Sequence, residues 1–371
     1  MQAKSRVFLW PLRASRKAPF ATRVRALVKS TGFLAHLAPD LSLALKIHFG
    51  ERGGTSFINP MLVAPVVSLL AKAGCRPFLT DTNTLYPGER AEAVSHLLLA
   101  AAHGFEALRL GAPVIIADGL RGEFECRVSG PGGHFEAFHL AGAIVEAEAL
   151  VCLSHFKGHE IAGFGGALKN LGMGCASKKG KIDQHCRMGP TLDQARCNGC
   201  GLCIVRCRHG ALRLEGGLVW MDQSLCVGCG ACVTACRHHA LGLDWSGQGP
   251  DFIERMVEYA GAVTASFARP CLYLNFVMNV TPDCDCAGYS DAPLCPDIGI
   301  LAGLDPVAVD QASLDLVNEA LPLPGGRLPQ GIHQGEDKFK ALRPDIHGDH
   351  ALAHAQSLGL GMRNYHLTRL G

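Results

Sequence analysis

The chain has 371 residues, of which 48% are hydrophobic and 18% are charged, so it can form one large domain or two ordinary ones with a real core. Its formal net charge of +2 gives no reason to expect nucleic acid or an acidic membrane surface as a partner. No apolar run approaches the ~20 residues of a bilayer crossing. The basic N-terminal stretch is interrupted by Pro11 and Arg13 and makes a poor signal peptide. We therefore expect a soluble cytoplasmic protein.

The first half of the chain alternates predicted strands and helices. In chain order they are a strand at 43–49, a helix at 60–74, a strand at 76–81, a helix ending near Gly104, a strand at 113–118, a helix at 135–149 and a strand at 149–156. Polar, glycine-containing loops follow several of these strands. In parallel sheets such loops gather at the carboxyl edge, where ligands bind.

After a cysteine-rich stretch, the alternation resumes with a helix at 251–267, strands at 271–280 and 297–304, and a helix that Asp305 and Pro306 begin and Ala320 ends. The tail from Leu321 is expected to wrap the surface. This order predicts an α/β fold, a mostly parallel sheet with helices on both faces. The interruption predicts three parts: a first α/β part (1–189), an inserted ferredoxin-like domain (190–245), and a second α/β part with the tail (246–371).

Eight of the seventeen cysteines form two C-x2-C-x2-C-x3-C runs. This spacing is typical of a bacterial-type ferredoxin with two [4Fe–4S] clusters, in which the fourth cysteine of each run ligates the other cluster. We therefore assign one cluster to Cys197, Cys200, Cys203 and Cys236, and the other to Cys226, Cys229, Cys232 and Cys207.

Zinc is the alternative ligand, because paired C-x2-C also builds zinc ribbons and fingers. A zinc site needs four ligands, but this need does not explain why a run of three closely spaced thiolates occurs twice. The duplicated run therefore favours iron–sulfur clusters over zinc. The proline that usually follows the fourth cysteine is Arg208 in one run and Arg237 in the other. Two cations beside the clusters would tend to raise their reduction potentials.

Motifs outside these runs sharpen the interpretation. They include KIHFGERGGTSFINP, SHFKGHEIAGFGGALKNLGMGCAS and PDIGILAGLDPVAVDQASLDLV. From about Val7 to the C-terminus the chain resembles a family of Fe–S-centre proteins, the domain-of-unknown-function family numbered 362, in its version with a ferredoxin insert. The resemblance implies an α/β fold with two [4Fe–4S] clusters, and it implies no substrate.

The segment SHFKGHEIAGFGGALKN follows a predicted strand and carries the first candidate site. His155, Lys157 and His159 precede a glycine-rich stretch that ends near Lys169. Backbone N–H groups at a helix start together with two lysines predict a site for an anionic group. The alternative is a tight strand–helix junction in which the glycines serve packing.

A third metal site is predicted from cysteines beyond the two runs. Cys284 and Cys286 flank Asp285, and Cys175 closes the GMGC motif. A C-x-C pair can give two thiolates to one metal or further cluster, with Cys175 or a histidine completing the site. The alternative is a set of reduced thiols or a redox-active pair. Four other cysteines are expected in the core: Cys75, Cys126, Cys152 and Cys271.

The motif KIHFGERGG supplies a further candidate. Lys46 and His48 alternate onto one face of a predicted strand, so both can point into the same pocket. Other polar residues that end strands are candidates by position alone: Asp81, Asn83 and Asp118. The basic run 178–181 is predicted to be a solvated turn.

Together these motifs predict an iron–sulfur protein for low-potential electron transfer. The insert would exchange electrons with a redox partner protein and feed a site at the sheet edge, as in an iron–sulfur oxidoreductase acting on a small anionic substrate. The predicted catalytic residues are His48, His155, Lys157 and His159. The alternatives are a non-catalytic electron carrier and a scaffold for metals or clusters.

Overall fold

A computed structural model of the chain describes residues 4–86, 88–185, 190–226, 230–242 and 249–371. Before residue 186 its helices are α1 (Phe20–Ser30), α2 (Pro60–Lys72), α3 (Ala93–Ala102), α4 (Ala107–Leu110), α5 (Gly142–Val145), α6 (Ala167–Gly172) and α7 (Lys178–His185). The strands of this part are β1 (Ser5–Trp10), β2 (Ser42–Ile47), β3 (Arg76–Asp81), β4 (Val114–Ile116), β5 (Glu125–Val128), β6 (Phe138–Ala141), β7 (Ala149–His155), β8 (Lys157–His159) and β9 (Gly163–Gly165).

The cysteine-rich segment (190–242) contains β10 (Thr191–Leu192), α8 (Leu202–Arg206), β11 (Leu212–Glu215), β12 (Leu218–Met221), α9 (Ala231–Ala235) and β13 (Leu241–Gly242). The last part contains α10 (Pro250–Ala265), β14 (Leu272–Val277), β15 (Gly299–Gly303), α11 (Pro306–Glu319), α12 (Lys338–Leu342), α13 (Asp349–Ser357) and β16 (Tyr365–Arg369). Short 3-10 helices lie at Phe33–His36 and Gln194–Arg196.

In the described residues, eight strands form one central sheet in the order β16-β1-β15-β14-β7-β2-β3-β4. All neighbours are parallel except β15, which is antiparallel to both β1 and β14. The predicted α/β fold with a mostly parallel sheet is therefore confirmed.

The middle strands are buried on both faces, as expected when helices cover a parallel sheet on both sides. Along β7, Leu150 and Cys152 belong to one hydrophobic cluster, while Val151 and Leu153 belong to a second cluster on the opposite face. The first cluster includes residues of α10 and α11, and the second includes residues of α1 and α2. Each strand residue therefore contacts one of two helical layers.

Local signals fix several helix starts. The side chain of Asn59 accepts a hydrogen bond from Met61 N (2.9 Å) at the start of α2. The predicted start of α11 is confirmed, because Asp305 accepts from Ala308 N (2.9 Å) and Pro306 occupies the first turn.

Two sequence predictions were wrong. The stretch 135–149 is not one helix: it contains β6 and the short α5, because residues 138–141 pair with β5 and Ala141 N donates to Cys175 O (2.9 Å). The tail does not merely wrap the surface. It contributes α12, α13 and β16, which pairs with β1 and becomes an edge strand of the central sheet. Both errors come from long-range pairing, which local periodicity does not encode.

Candidate functional site

A cavity of about 240 Å³ opens at the carboxyl edge of the sheet. The parallel strands β2, β3, β7 and β14 all end there, so the residues that follow them converge. The structure brings all four predicted catalytic residues to its wall: His48, His155, Lys157 and His159. The converging loops also bring Cys284 and Cys286 to the same wall.

The buried carboxylate of Asp285 organises one side of the cavity. It contacts His155 Nδ1 (2.9 Å) and Lys157 Nζ (3.1 Å), and it accepts from Ser56 Oγ (2.9 Å). Asp285 is 2% exposed, and burial alone would raise its pKa. His155 and Lys157 outweigh burial and hold the pKa of Asp285 well below its usual range. The carboxylate is therefore ionised and fixes two cationic side chains.

His155 donates a hydrogen bond through each ring nitrogen. Nδ1 lies 2.9 Å from both oxygens of Asp285, and Nε2 lies 3.0 Å from Met278 O and 3.1 Å from Asn279 O. Carbonyl and carboxylate oxygens only accept, so both nitrogens carry a proton in this geometry. His155 is thus a fixed cation that ties β7 to the 278–286 loop.

A second buried network surrounds Asp81 at the end of β3. Asp81 contacts Lys46 Nζ (2.9 Å) and Arg90 Nη1 (3.4 Å), while Arg90 Nε also contacts Glu51 (3.2 Å). Burial would raise the pKa of Asp81, but Lys46 and the neighbouring cations lower it below its usual range. Two candidates by position, Asn83 and Asp118, instead bond to each other (2.8 Å) behind the cavity.

The imidazole of His96 lies behind Asp81, fully buried, and burial lowers its pKa from 6.5 to about 3. Below pH 6.5 the unfolded chain binds a proton that the folded chain binds only near pH 3. The stability that neutral His96 contributes is therefore complete above pH 6.5 and is lost as the pH falls toward 3. We therefore compare the free energies of unfolding of His96→Leu and the wild type. As the pH is lowered from 6 to 4, the value for His96→Leu minus that for the wild type should increase by about 1.4 kcal/mol per pH unit.

Urea unfolding of both proteins at pH 7, 6, 5 and 4 measures this slope. His36→Leu, the same change at an exposed position, is the matched control. A His96→Leu difference that stays constant across this range would contradict the expectation.

Two further cavity histidines, His48 and His159, are held as neutral donors. Nδ1 of His48 accepts from Gly50 N (3.0 Å), and Nδ1 of His159 accepts from Ile161 N (3.2 Å) and Ala162 N (3.1 Å). Burial lowers the pKa of both rings. The proton of each ring therefore sits on Nε2, the atom that His48 directs at Cys286 (3.4 Å).

Cys284 and Cys286 form a close thiol pair. Their sulfurs lie 3.3 Å apart, and Lys169 Nζ lies 3.7 Å from Cys284 Sγ. The hydrogen bond between the sulfurs lowers the pKa of Cys286 well below, and raises that of Cys284 well above, the usual thiol range. Cys286 is thus the thiolate of the pair.

The structure does not bring Cys175 to this pair. Cys175 is buried in the hydrophobic cluster beneath the cavity, where its sulfur lies 4.0 Å from Asn170 O. In the described ranges, no group of three or more His, Cys, Asp or Glu side chains is arranged to hold a metal ion. The third metal site predicted at Cys175, Cys284 and Cys286 therefore stays a prediction, and Cys175 lies apart from the thiol pair.

Cations dominate the cavity wall. Asp81, Glu51 and Asp285 form ion pairs with Lys46, Arg90, Lys157 and His155. Among the described residues, no carboxylate lies within 4 Å of Lys169 Nζ or Lys181 Nζ. Burial lowers the pKa of Lys181 to about 8. The two lysines are therefore cavity cations without a described carboxylate partner, while Glu160 on the same wall lies 3.7 Å from His159.

The position predicted for Lys181 was wrong. The run 178–181 begins helix α7 and is not a solvated turn, and both Lys178 and Lys181 are buried. Their spacing of three residues on one helix face is the signal that could have indicated shared burial. The sequence also gave no sign of Arg90, which lies nine residues beyond Asp81 in a loop and returns to it.

The helix start of the glycine-rich segment does not face a ligand. Asp310 accepts hydrogen bonds from Ala167 N (2.7 Å) and Leu168 N (2.9 Å) at the start of α6. A Cβ on Gly166 would lie 2.3 Å from Asp310 Oδ1, so this glycine serves close packing. The prediction of an anion site is thus carried by lysine side chains and not by backbone N–H groups.

The cysteine runs gather into two groups. One small cavity is lined by Cys197, Cys200, Cys203 and Cys236. A second is lined by Cys207, Cys226 and Cys232, and the fourth predicted member, Cys229, lies outside the described residues. Cys236 thus joins the first three cysteines of the other run, and Cys207 joins the two of its group that the structure describes.

The described parts of the two runs share one backbone conformation around α8 and α9. Gly201 precedes α8 with φ +72°, and Gly230 precedes α9 with φ +70°, a region that glycine adopts without strain. Cys207 and Cys236 end these helices with φ near −80° and ψ of 99° and 97°. The sequence duplication is therefore a structural duplication.

The second cysteine group contacts the wall of the large cavity. A Cβ on Gly230 would lie 2.2 Å from Ile182 Cδ1 and 4.0 Å from Leu85 Cδ2. Leu85 and Ile182 are both buried and pack with Val233 of α9, and Leu85 also lines the large cavity. One buried side chain therefore separates the loop of the second group from the cavity.

The fold and the site define an α/β protein with a cationic cavity at its sheet edge and a duplicated cysteine-rich segment beside it. The chain belongs to the family described as Domain of unknown function (DUF362), whose model matches residues 43–315. No curated protein matches the chain.

Among solved structures, the chain is similar to the lactate racemase apoprotein from Thermoanaerobacterium thermosaccharolyticum. The identity is 14%, the TM-score is 0.36, and the match covers 74% of this chain and 51% of that one. The chain thus spans about half the length of that structure. No helix in the described part of the chain has the length and apolar character needed to span a membrane.

Proposed function

We propose that the protein binds two [4Fe–4S] clusters in a ferredoxin-like domain (190–245) and transfers electrons to a redox site in the cavity. The observation that carries this proposal is the grouping of the cysteines. Cys236 lies with the first three cysteines of the other run, and Cys207 lies with Cys226 and Cys232, as in the ligation pattern of two-cluster ferredoxins.

The residues of the segment fit such clusters. Cys203 and Cys232 are buried, and apolar side chains surround them, including Leu212, Val219 and Leu241. Ala240 N donates a hydrogen bond to Cys236 Sγ (3.2 Å), as expected for a sulfur that carries negative charge. Each iron of a cubane binds its own thiolate, so these cysteines need not converge on one ion. When bound, the clusters supply one-electron transfer.

The cavity supports an enzyme over the alternatives of a pure carrier or a scaffold. Its wall combines fixed cations with the neutral donors His48 and His159, and it adjoins the second cysteine group through Leu85. Lys169 and Lys181 would attract a small anionic substrate. We propose His48, His155, Lys157 and His159 as the residues that bind and orient it.

A redox partner protein would dock at the first cysteine group. Cys200 is exposed, whereas the second group faces the α/β part of the chain through Gly230. Exposed apolar side chains next to Cys200 suit a transient protein contact, notably Leu202 and Val205.

Iron, acid-labile sulfide and other metals should be measured per chain after strictly anaerobic purification. We expect about eight irons and eight sulfides, as two cubes require. Zinc at two or more equivalents without sulfide would contradict the proposal. An excess of iron, or one equivalent of another metal, would indicate the predicted third centre.

A further inference from the structure

We infer that Cys284 and Cys286 are a redox-active dithiol that reduces a small anionic disulfide bound in the cavity. This inference rests on the proposed function for its source of electrons and names the substrate class of that same site. The geometry of the thiol pair, the cations around it and the volume of the cavity carry it.

The loop of the pair is anchored at the residue before Cys284 and at the residue between the two cysteines. Asp283 is held by Arg343 (2.5 Å) and Arg327, while Asp285 is held by His155 and Lys157. Ala287 N donates to Cys284 O (2.9 Å), which closes a turn around the pair. Both carboxylates of the loop are thus occupied by fixed cations, and the two thiols line the cavity.

The sulfurs need only a short movement to bond. They lie 3.3 Å apart, and a disulfide requires about 2.0 Å. Cys284 is 3% exposed, whereas Cys286 is partly exposed, so Cys286 is the sulfur that an incoming disulfide meets first. His48 Nε2 donates to Cys286, and Lys169 stands beside Cys284, so each sulfur has a group that stabilises developing negative charge.

The exchange proceeds in two steps. Cys286 Sγ attacks one sulfur of the substrate as a thiolate, the substrate S–S bond breaks, and the first product leaves as a thiolate that takes a proton from solvent. Cys284 Sγ then attacks Cys286 Sγ of the mixed disulfide and passes its own proton to the second leaving sulfur, which leaves a Cys284–Cys286 disulfide. Two electrons from a low-potential iron–sulfur donor and one proton restore the thiol–thiolate pair.

The charge of the cavity selects the substrate. Lys169 and Lys181 have no carboxylate within 4 Å among the residues that the structure describes, so they can pair with carboxylates of a ligand. A cavity of about 240 Å³ accepts a compact disulfide. Dithiodiglycolate, a dicarboxylate disulfide, matches both properties, whereas cystamine offers a similar length with two positive charges.

The test treats the anaerobically purified full chain with dithiodiglycolate or cystamine and quantifies the Cys284–Cys286 disulfide by peptide mass spectrometry. We expect dithiodiglycolate to oxidise the pair roughly tenfold faster than cystamine, since the positive charges of the cavity attract the dicarboxylate and repel the diamine. Two thioglycolates should be released per disulfide. Cys284→Ser should stop at a mixed disulfide on Cys286, and Cys286→Ser should form neither product.

The partly exposed Cys126 provides the control, because Cys126→Ser should leave the yield unchanged. Equal rates with both disulfides, or a metal at the pair that is lost in Cys284→Ser, would overturn the inference. Iron and sulfide measured on the same sample separate it from the proposed function. Eight irons without pair oxidation remove only the inference, while pair oxidation without iron removes only the proposed function.

Discussion

Replacing Asp285 by asparagine is expected to lower the free energy of unfolding by about 3–5 kcal/mol, because it leaves buried cations without their counter-charge. Lys157 is 7% exposed and His155 is 3% exposed, and each makes its ion pair with Asp285. Asparagine keeps the shape of the side chain, so the loss reports charge and not a cavity. Urea unfolding followed by tryptophan fluorescence at pH 7 measures it.

Asp291 is the matched control for this substitution. It is partly exposed and lies 3.8 Å from Arg327, which is also half exposed. Asp291→Asn should therefore change the stability by less than about 0.5 kcal/mol. A similar loss in both variants would mean that the buried network does not anchor the cavity.

Replacing a single cysteine by serine is expected to remove one whole cluster. Two pairs of variants that lose the same cluster should carry their substitutions in different runs. Cys207→Ser should remove the same electron paramagnetic resonance signal as Cys232→Ser, and Cys236→Ser the same signal as Cys203→Ser. Each variant should retain about four of the eight irons that two clusters contain. The reason is that each fourth cysteine lines the cavity of the opposite run.

Cys126→Ser is the control for this series and should keep about eight irons, as two intact cubes require. Its thiol lies in β5, outside both cysteine groups. If Cys207→Ser instead removed the signal that depends on Cys203, each run would ligate its own cluster. That result would contradict the crossed assignment while leaving cluster binding itself intact.

Two ionised carboxylates of the cavity make the stability of the fold depend on pH. The pKa of Asp81 and that of Asp285 are held below the usual range by neighbouring cations. These carboxylates stabilise the fold above the pKa they have when unfolded, and that contribution is lost as the pH falls through acid values. The shape of the cavity therefore depends on groups that stay ionised throughout the neutral range.

Strand and helix placement was predictable wherever the signal is local. The strands at 43–49 and 149–156 and the helix that Asp305 begins follow from apolar runs and capping residues, which act over a few positions. The helix at 135–149 was not predictable in this way. Its residues satisfy a helical pattern, but pairing of β6 with β5 decided the outcome.

The residues of the candidate site also fall into those that the sequence predicted and those that it did not. His48, His155, Lys157 and His159 were predictable, because each follows a strand whose carboxyl end must reach the ligand edge of a parallel sheet. Arg90 and Lys181 were not, since a loop and a short helix bring them back to Asp81 and Thr82. The role of Gly166 was also hidden, because Asp310 lies far along the chain.

The sequence by itself determined the α/β class, the duplicated cysteine runs and the polar loops at the sheet edge, because these depend on periodicity and on spacings of two or three residues. Only the tertiary structure decided that Cys286 meets His48 while Cys175 does not, and that Lys169 and Lys181 remain without carboxylate partners in the described chain. Those contacts join residues distant in sequence. Their formation depends on packing and on the desolvation of charge in the folded core.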